Sequence, residues 1–195
     1  MAFPLGHIAT GLGVSMVCNQ TYDPLKQRML TLKVAGLSLL PDIDYLLVWP
    51  LGLSYEVYHR GFSHSVLFAI MAGLVFAILE QRKESGPLLW RSAFYILIIL
   101  SHDVLDLAMT DDRFEFIPGL MLAWPWSSTR FAMSSSPLTD VYIHAGPIMQ
   151  MTPLYFLWHC TRNTLIEAAV FVPPVLLIWS LRIFLVRHRG IKTAR

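Results

Sequence analysis

The sequence predicts an all-α fold, a polytopic bundle of about four to five membrane-embedded helices forming one domain over residues 1–195. Three observations carry this expectation. Hydrophobic residues make up 55% of the chain and charged residues only 14%, against roughly a quarter charged in ordinary soluble domains. Mean hydropathy is +0.53. The apolar residues also gather in runs, several of which approach the about twenty residues that cross a bilayer.

Taken in order, Leu5 to Val17 is short for a crossing and reads as a half-buried or re-entrant helix. Met29 to Leu51 is long enough to cross but carries Pro41-Asp42-Ile43-Asp44 in its second half. Ser65 to Leu79 is almost purely apolar, and Leu88 to Met109 starts apolar and ends in Ser101-His102-Asp103. Ala168 to Val186 closes the series, with Pro173-Pro174 expected to kink it. Between them, Thr110 to Thr164 shows no helical run. It holds Trp124-Pro125-Trp126 and Ser134-Ser135-Ser136-Pro137, and reads as an interfacial cap loop.

Basic residues set orientation, because short cytoplasmic loops hold the excess of Lys and Arg. Lys26 and Arg28, then Arg82 and Lys83, then Arg187, Arg189, Lys192 and Arg195 fall on one side of an alternating path. That side is assigned to the cytoplasm, with residues 187–195 as a basic cytoplasmic tail. The Tyr55–Phe62 connection and the cap fall on the other side. The N-terminus lacks the basic region of a signal peptide. Cys18 and Cys160 form no framework and read as small core hydrophobes. No basic arm is interleaved with stacking aromatics, so nucleic acid is not an expected partner; the lipid bilayer is.

Four polar islands interrupt the apolar chain, and all fall at non-cytoplasmic helix ends: His7; Asp42 and Asp44; His59-Arg60-Gly61-Phe62-Ser63-His64; and His102 to Asp106. Ionisable groups at such positions cost several kcal/mol unless they pair or bind an ion. Histidine and carboxylate together are the nitrogen and oxygen ligands that zinc and its neighbours prefer. His102 and Asp106, four apart, leave a helix from the same face as a two-pronged claw. Asp103 points about a quarter-turn away and reads as a partner that orients a histidine. Gly61 loosens the backbone so that His59 and His64 can turn toward one point, with Arg60 between them suited to phosphate or carboxylate. Asp42 and Asp44, one residue apart, point in different directions; Asp44 is favoured as a ligand and Asp42 as the general base, although the pattern alone does not separate them.

Other polar residues earn less. His144, His159 and His188 lack partners at ligand spacing. Arg162 and Glu167 could form a structural pair or line the site, and Arg113 and Arg130 could contact substrate, although loop arginines are usually just solvated. No Gly-x-Ser-x-Gly elbow and no Gly-rich phosphate loop is present.

The ordered set His7, Leu40-Pro41-Asp42-Ile43-Asp44, His59-Arg60-Gly61-Phe62-Ser63-His64-Ser65 and Ser101-His102-Asp103-Val104-Leu105-Asp106 resembles the YdjM-type family of bacterial inner-membrane, predicted metal-dependent hydrolases. Trp124-Pro125-Trp126-Ser127-Ser128-Thr129-Arg130-Phe131 is similar to that family's Pro-Phe-Ser-x-x-Arg-Phe segment. The resemblance implies a helical membrane enzyme with a divalent-metal site and leaves the substrate open. More distantly, the order of ligands is similar to the zinc-dependent phospholipase C and single-strand nuclease superfamily, whose members hydrolyse phosphodiesters with clustered zinc. This chain lacks their free N-terminal Trp and their second His-x-x-x-Glu, so one or two ions are expected instead of three.

These readings combine into an expected membrane-bound, metal-dependent hydrolase. His7, Asp44, His59, His64, His102 and Asp106 would hold zinc, with manganese as the other candidate. A metal-activated water would attack an ester or phosphodiester of a lipid-like substrate such as a phospholipid, Asp42 would take the proton, and Arg60 would stabilise the developing charge. The rival expectation is a non-catalytic, metal-stabilised membrane protein or a permease, since buried His and Asp also mark ion pathways.

Overall fold

The computed structural model describes residues 4–19, 23–48, 50–52, 58–80, 86–110, 119–133 and 152–189. Arg82, Lys83, Arg113, His144, Lys192, Arg195 and residues 55–57 of the Tyr55–Phe62 connection lie outside them, as do the side chains of Arg187, His188 and Arg189. Every extended element is helical: α1 (Pro4–Cys18), α2 (Arg28–Ser38), a first 3₁₀ turn (Leu40–Asp44), α3 (Tyr45–Val48), a second 3₁₀ turn (Phe62–His64), α4 (Val66–Glu80), α5 (Leu88–Met109) and α6 (Pro153–Arg189). Among the described residues the β-structure is limited to an isolated bridge, Leu120 to Phe131.

α5 is the axis of the bundle and packs against α1, α2 and α4. Its contacts with α2 and α4 build the main core from Val34, Leu37, Ala69, Ala77, Tyr95, Ile98 and Ile99. Ala69, Gly73 and Ala77 recur every fourth residue, so α4 presents one smooth buried stripe and lets the backbones approach closely. A Cβ added at Gly73 would lie 2.9 Å from the backbone nitrogen of Ile96. The remaining face of α4 is apolar and exposed, including Met71, Val75 and Leu79. α6 packs on α1 and otherwise exposes Leu157, Leu165, Leu176 and Leu181.

By length and composition α5 and Pro153–Leu185 of α6 are each able to cross a membrane, while α1 and α4 are shorter apolar helices. The Met29–Leu51 run differs from the single crossing expected of it. Pro41 has no N–H to continue the ladder of α2, so the chain tightens into the 3₁₀ turn and resumes as one short turn of α3. The Thr110–Thr164 cap is also shorter than expected, because α6 begins at Pro153 and runs through Pro173 and Pro174 as one helix. Its first turns carry Tyr155, Trp158, His159 and Arg162 in place of an aliphatic run, which hid them from a search for apolar stretches. Neither cysteine is a core residue: Cys18 is exposed at the end of α1 and Cys160 is half-buried on α6.

Candidate metal centre

The start of α1, the end of α2, the start of α4 and the last turns of α5 meet at one end of the bundle. His7, Asp44, His59, Arg60, His64, His102 and Asp106 are all buried there.

His102 sets the geometry. Its Nδ1 lies 2.7 Å from the carbonyl oxygen of Ser38 at the end of α2. A carbonyl only accepts, so Nδ1 carries a proton and Nε2 is the ring nitrogen turned inward. Nε2 of His64 faces it at 3.3 Å. Two carboxylate oxygens complete the group. Asp42 Oδ1 lies 3.6 Å from His64 Nε2 and 3.5 Å from His102 Nε2. Asp106 Oδ2 lies 3.7 Å and 3.9 Å from the same two nitrogens. These are five edges of a four-cornered figure. A tetrahedral zinc with bonds of about 2.0–2.1 Å needs edges of about 3.3–3.4 Å. Apart from the nitrogen pair, the separations exceed the about 2.7–3.2 Å of a good hydrogen bond, so the atoms satisfy one another only weakly.

His7 caps this group. Its ring stacks on His102 with centroids 3.6 Å apart and planes within 12°, and its Nε2 lies 3.5 Å from Asp106 Oδ1. α6 seats it: Glu167, fully buried, accepts the Gly6 backbone N–H at 2.8 Å. That carboxylate stabilises one of the donors left open in the first turn of α1.

Asp44 and His59 form a layer behind. Asp44 Oδ1 lies 3.0 Å from His59 Nδ1, and Oδ2 accepts from the Ser63 hydroxyl at 3.0 Å and from the Arg60 backbone N–H at 3.1 Å. Ser63 Oγ is in turn 3.1 Å from His64 Nδ1. Asp42 thus stands among the converging atoms and Asp44 behind them, the reverse by position of the division favoured from sequence. Donor atoms of Asp42, His59 and His64 still lie within 4.8 Å of one another, as do those of His7, His102 and Asp106.

Arg60 is fully buried and turned inward. Its guanidinium contacts Asp106 Oδ2 at 2.9 Å and donates to Thr110 Oγ1 at 2.7 Å. Its φ of 59° is left-handed, unusual for a residue with a Cβ. The segment 119–133 braces this turn. Met121 N–H donates to the Arg60 carbonyl at 3.0 Å, and Arg130 Nη1 donates to the carbonyls of His59 at 3.2 Å and Gly119 at 2.8 Å. Arg130 is therefore a clamp on the site and not simply a solvated loop arginine.

Charge in this layer is unbalanced. Asp42, Asp44 and Asp106 supply three carboxylates, against the buried guanidinium of Arg60. Burial holds the His64 imidazole below its ordinary proton affinity, with Asp42 opposing the shift, so the ring favours the neutral form a metal requires. Asp106 Oδ1, His7 Nδ1 and both oxygens of Asp103 are buried with no hydrogen bond among the described residues. Asp103 therefore orients no histidine among the described residues. Buried polar atoms are almost always satisfied. A divalent cation answers the charge and the converging lone pairs together, so the residues fit a metal.

Sequence reasoning missed the Ser38 carbonyl, Ser63, Thr110 and the clamp of Arg130. A backbone carbonyl has no signature in sequence, and the others act only through packing between distant segments.

Comparison with known proteins gives the same picture of relationship. A family model described as the YdjM inner membrane protein matches residues 1–188. The chain is 35% identical over 97 residues to the inner membrane protein YbcI of Escherichia coli (strain K12), a match covering 49% of this chain and 53% of that one. The matched part therefore spans about half the length of that relative. No solved structure matches the chain. The chain belongs to the YdjM inner membrane protein family.

Proposed function

We propose that the chain is a membrane-bound, metal-dependent hydrolase that cleaves an ester or phosphodiester of a lipid-like substrate. The observation that carries this reading is the buried convergence of His64 Nε2, His102 Nε2, Asp42 Oδ1 and Asp106 Oδ2 at 3.3–3.9 Å. In this reading four to five helices are embedded in the inner membrane, the C-terminus is cytoplasmic and the site opens on the opposite face. Zinc suits the mixed nitrogen and oxygen set best, and manganese is the alternative.

A divalent ion held by His64, His102 and Asp106, with His7 beside them, would supply the Lewis acidity that makes water nucleophilic near neutral pH, and Asp42 at the remaining corner is left free to act as base. The chain's own groups do the rest. Ser38 and Ser63 fix which nitrogens of His102 and His64 face inward. Arg60 holds Asp106 and acts through it. Asp42 has a side chain 23% exposed, so it can meet both the inner cluster and an incoming group. It takes one proton from water as the water oxygen bonds to phosphorus or acyl carbon. The bond to the leaving alcohol oxygen breaks, and that oxygen receives the proton from Asp42.

The test is a panel of phospholipids and soluble phosphodiesters and esters, incubated with detergent-purified protein loaded with zinc or manganese. Release of an alcohol that stops on chelation and returns with metal is expected. Loaded protein that cleaves nothing in the panel contradicts the reading. The permease alternative draws no support from α4, which carries no ionisable residue between Val66 and Leu79.

A further inference from the structure

The inner cluster reaches the surface at one member. His64, His102 and Asp106 have side chains 0–2% exposed, against 23% for Asp42. Among the described residues, exposed apolar side chains follow Asp42 along the chain. Ile43 follows it in the 3₁₀ turn and Leu46 lies one turn further on, 39% and 72% exposed. Phe62 stands two residues before His64, also exposed, with its ring edge-on to Trp124 at 6.1 Å. The rim then continues into Val66 and Ile70 on the bare face of α4.

Polar groups at the mouth of a pocket orient soluble ligands. An apolar rim continuous with an exposed apolar helix face, in a family of inner-membrane proteins, has bilayer hydrocarbon as its natural solvent. We propose that the substrate enters laterally from the bilayer, its polar head at Asp42 and its hydrocarbon tail along Ile43, Leu46 and Phe62. The substrate class is accordingly a lipid whose tail begins close to the group that is cleaved, and these three side chains set its selectivity. The head-group half of this inference rests on the hydrolase reading; the tail path does not.

The experiment uses the full chain in nanodiscs with a non-hydrolysable phosphonate lipid carrying a diazirine in its acyl chain. After photolysis, adducts are mapped by mass spectrometry. Adducts should concentrate on the peptides containing residues 40–46 and 62–68. They should be competed by excess unlabelled phosphonate lipid and not by the tail-less phosphonate. Leu46→Ser with Phe62→Ser should lower the yield about tenfold, the scale of one or two lost apolar contacts. Should the double variant fail to fold, Leu46→Ser alone, at a highly exposed position, keeps the test.

Adducts spread evenly over the outer faces of α4 and α6, or equal competition by the tail-less compound, would overturn the tail path. Cleavage of the phospholipid, phosphodiester and ester panel by the zinc-loaded protein is followed in parallel. Localised adducts without cleavage would sink the hydrolase reading and leave the tail path standing.

Discussion

Two clusters of charge sit at different depths of the same bundle, and they have little else in common. Toward the far end, Glu80 at the close of α4 is held by Lys33 of α2 and by the Tyr95 hydroxyl of α5. Its two oxygens each have a donor, and the Lys33 side chain is 41% exposed. At the other end, four carboxyl groups and four histidines crowd round Arg60, dry apart from Asp42, with Asp106 Oδ1, His7 Nδ1 and both Asp103 oxygens without hydrogen bonds among the described residues. The first is a finished ion pair that water can reach, the kind worth roughly 0–1 kcal/mol. The second is incomplete by its own atoms, and several kcal/mol of desolvation goes uncompensated unless a cation joins it. A structural cluster closes on itself; a binding site is left open.

That contrast can be broken at several points. The largest effect belongs to Asp106→Asn, which removes the charge that answers Arg60 and the converging histidines together. Loss of bound zinc is expected, with metal-free stability changed in the same variant, and titration with a chelating dye reads the first directly. Next comes Arg60→Met. It leaves the Asp106 carboxylate buried and unpaired, so the metal-free protein should lose about 3–5 kcal/mol, measured by denaturation in detergent. Added zinc should recover part of that loss, which no purely structural ion pair would allow.

A packing change serves as the control between the two regions. Gly73→Leu drives side-chain atoms into the backbone of Ile96 and should destabilise by about 1–3 kcal/mol, while any folded fraction keeps its zinc affinity. Arg130→Gln removes the donor to the carbonyls of His59 and Gly119. It should weaken zinc binding several-fold, and Arg130→Lys, which keeps the charge without the fork, should restore little of it. The smallest effect is at the far end. Lys33→Met should shift stability by less than about 1 kcal/mol and leave metal content unchanged.

The sequence made one half of this contrast legible. His7, Asp42, His59, His64, His102 and Asp106 stand out because ionisable residues are rare in an apolar chain, and an alternating path carries them to one end. The structure brings them together. What the sequence could not order was depth. Asp42 and Asp44 are separated by one residue in a 3₁₀ turn, and only the turn's orientation puts one among the lone pairs and the other behind them. Arg60 posed the same difficulty. Its place between two histidines suited an incoming anion, yet its left-handed backbone turns the guanidinium onto Asp106. The early start of α6 was hidden because aromatic and polar residues open it. Glu167 reads in the sequence as a residue that could line the site, but its partner, the Gly6 N–H 161 residues away in the chain, was not foreseeable.

The central claim is that one ion is shared by ligands from the second 3₁₀ turn and from α5. Metal content of the detergent-purified protein tests it most directly, with wild type measured beside His64→Ala and His102→Ala after identical loading. About one or two equivalents of zinc or manganese in the wild type, lost from both variants, is the predicted result. Wild type that holds no metal under any loading condition would contradict the account, and the buried histidines and aspartates would then be a polar network joining helices.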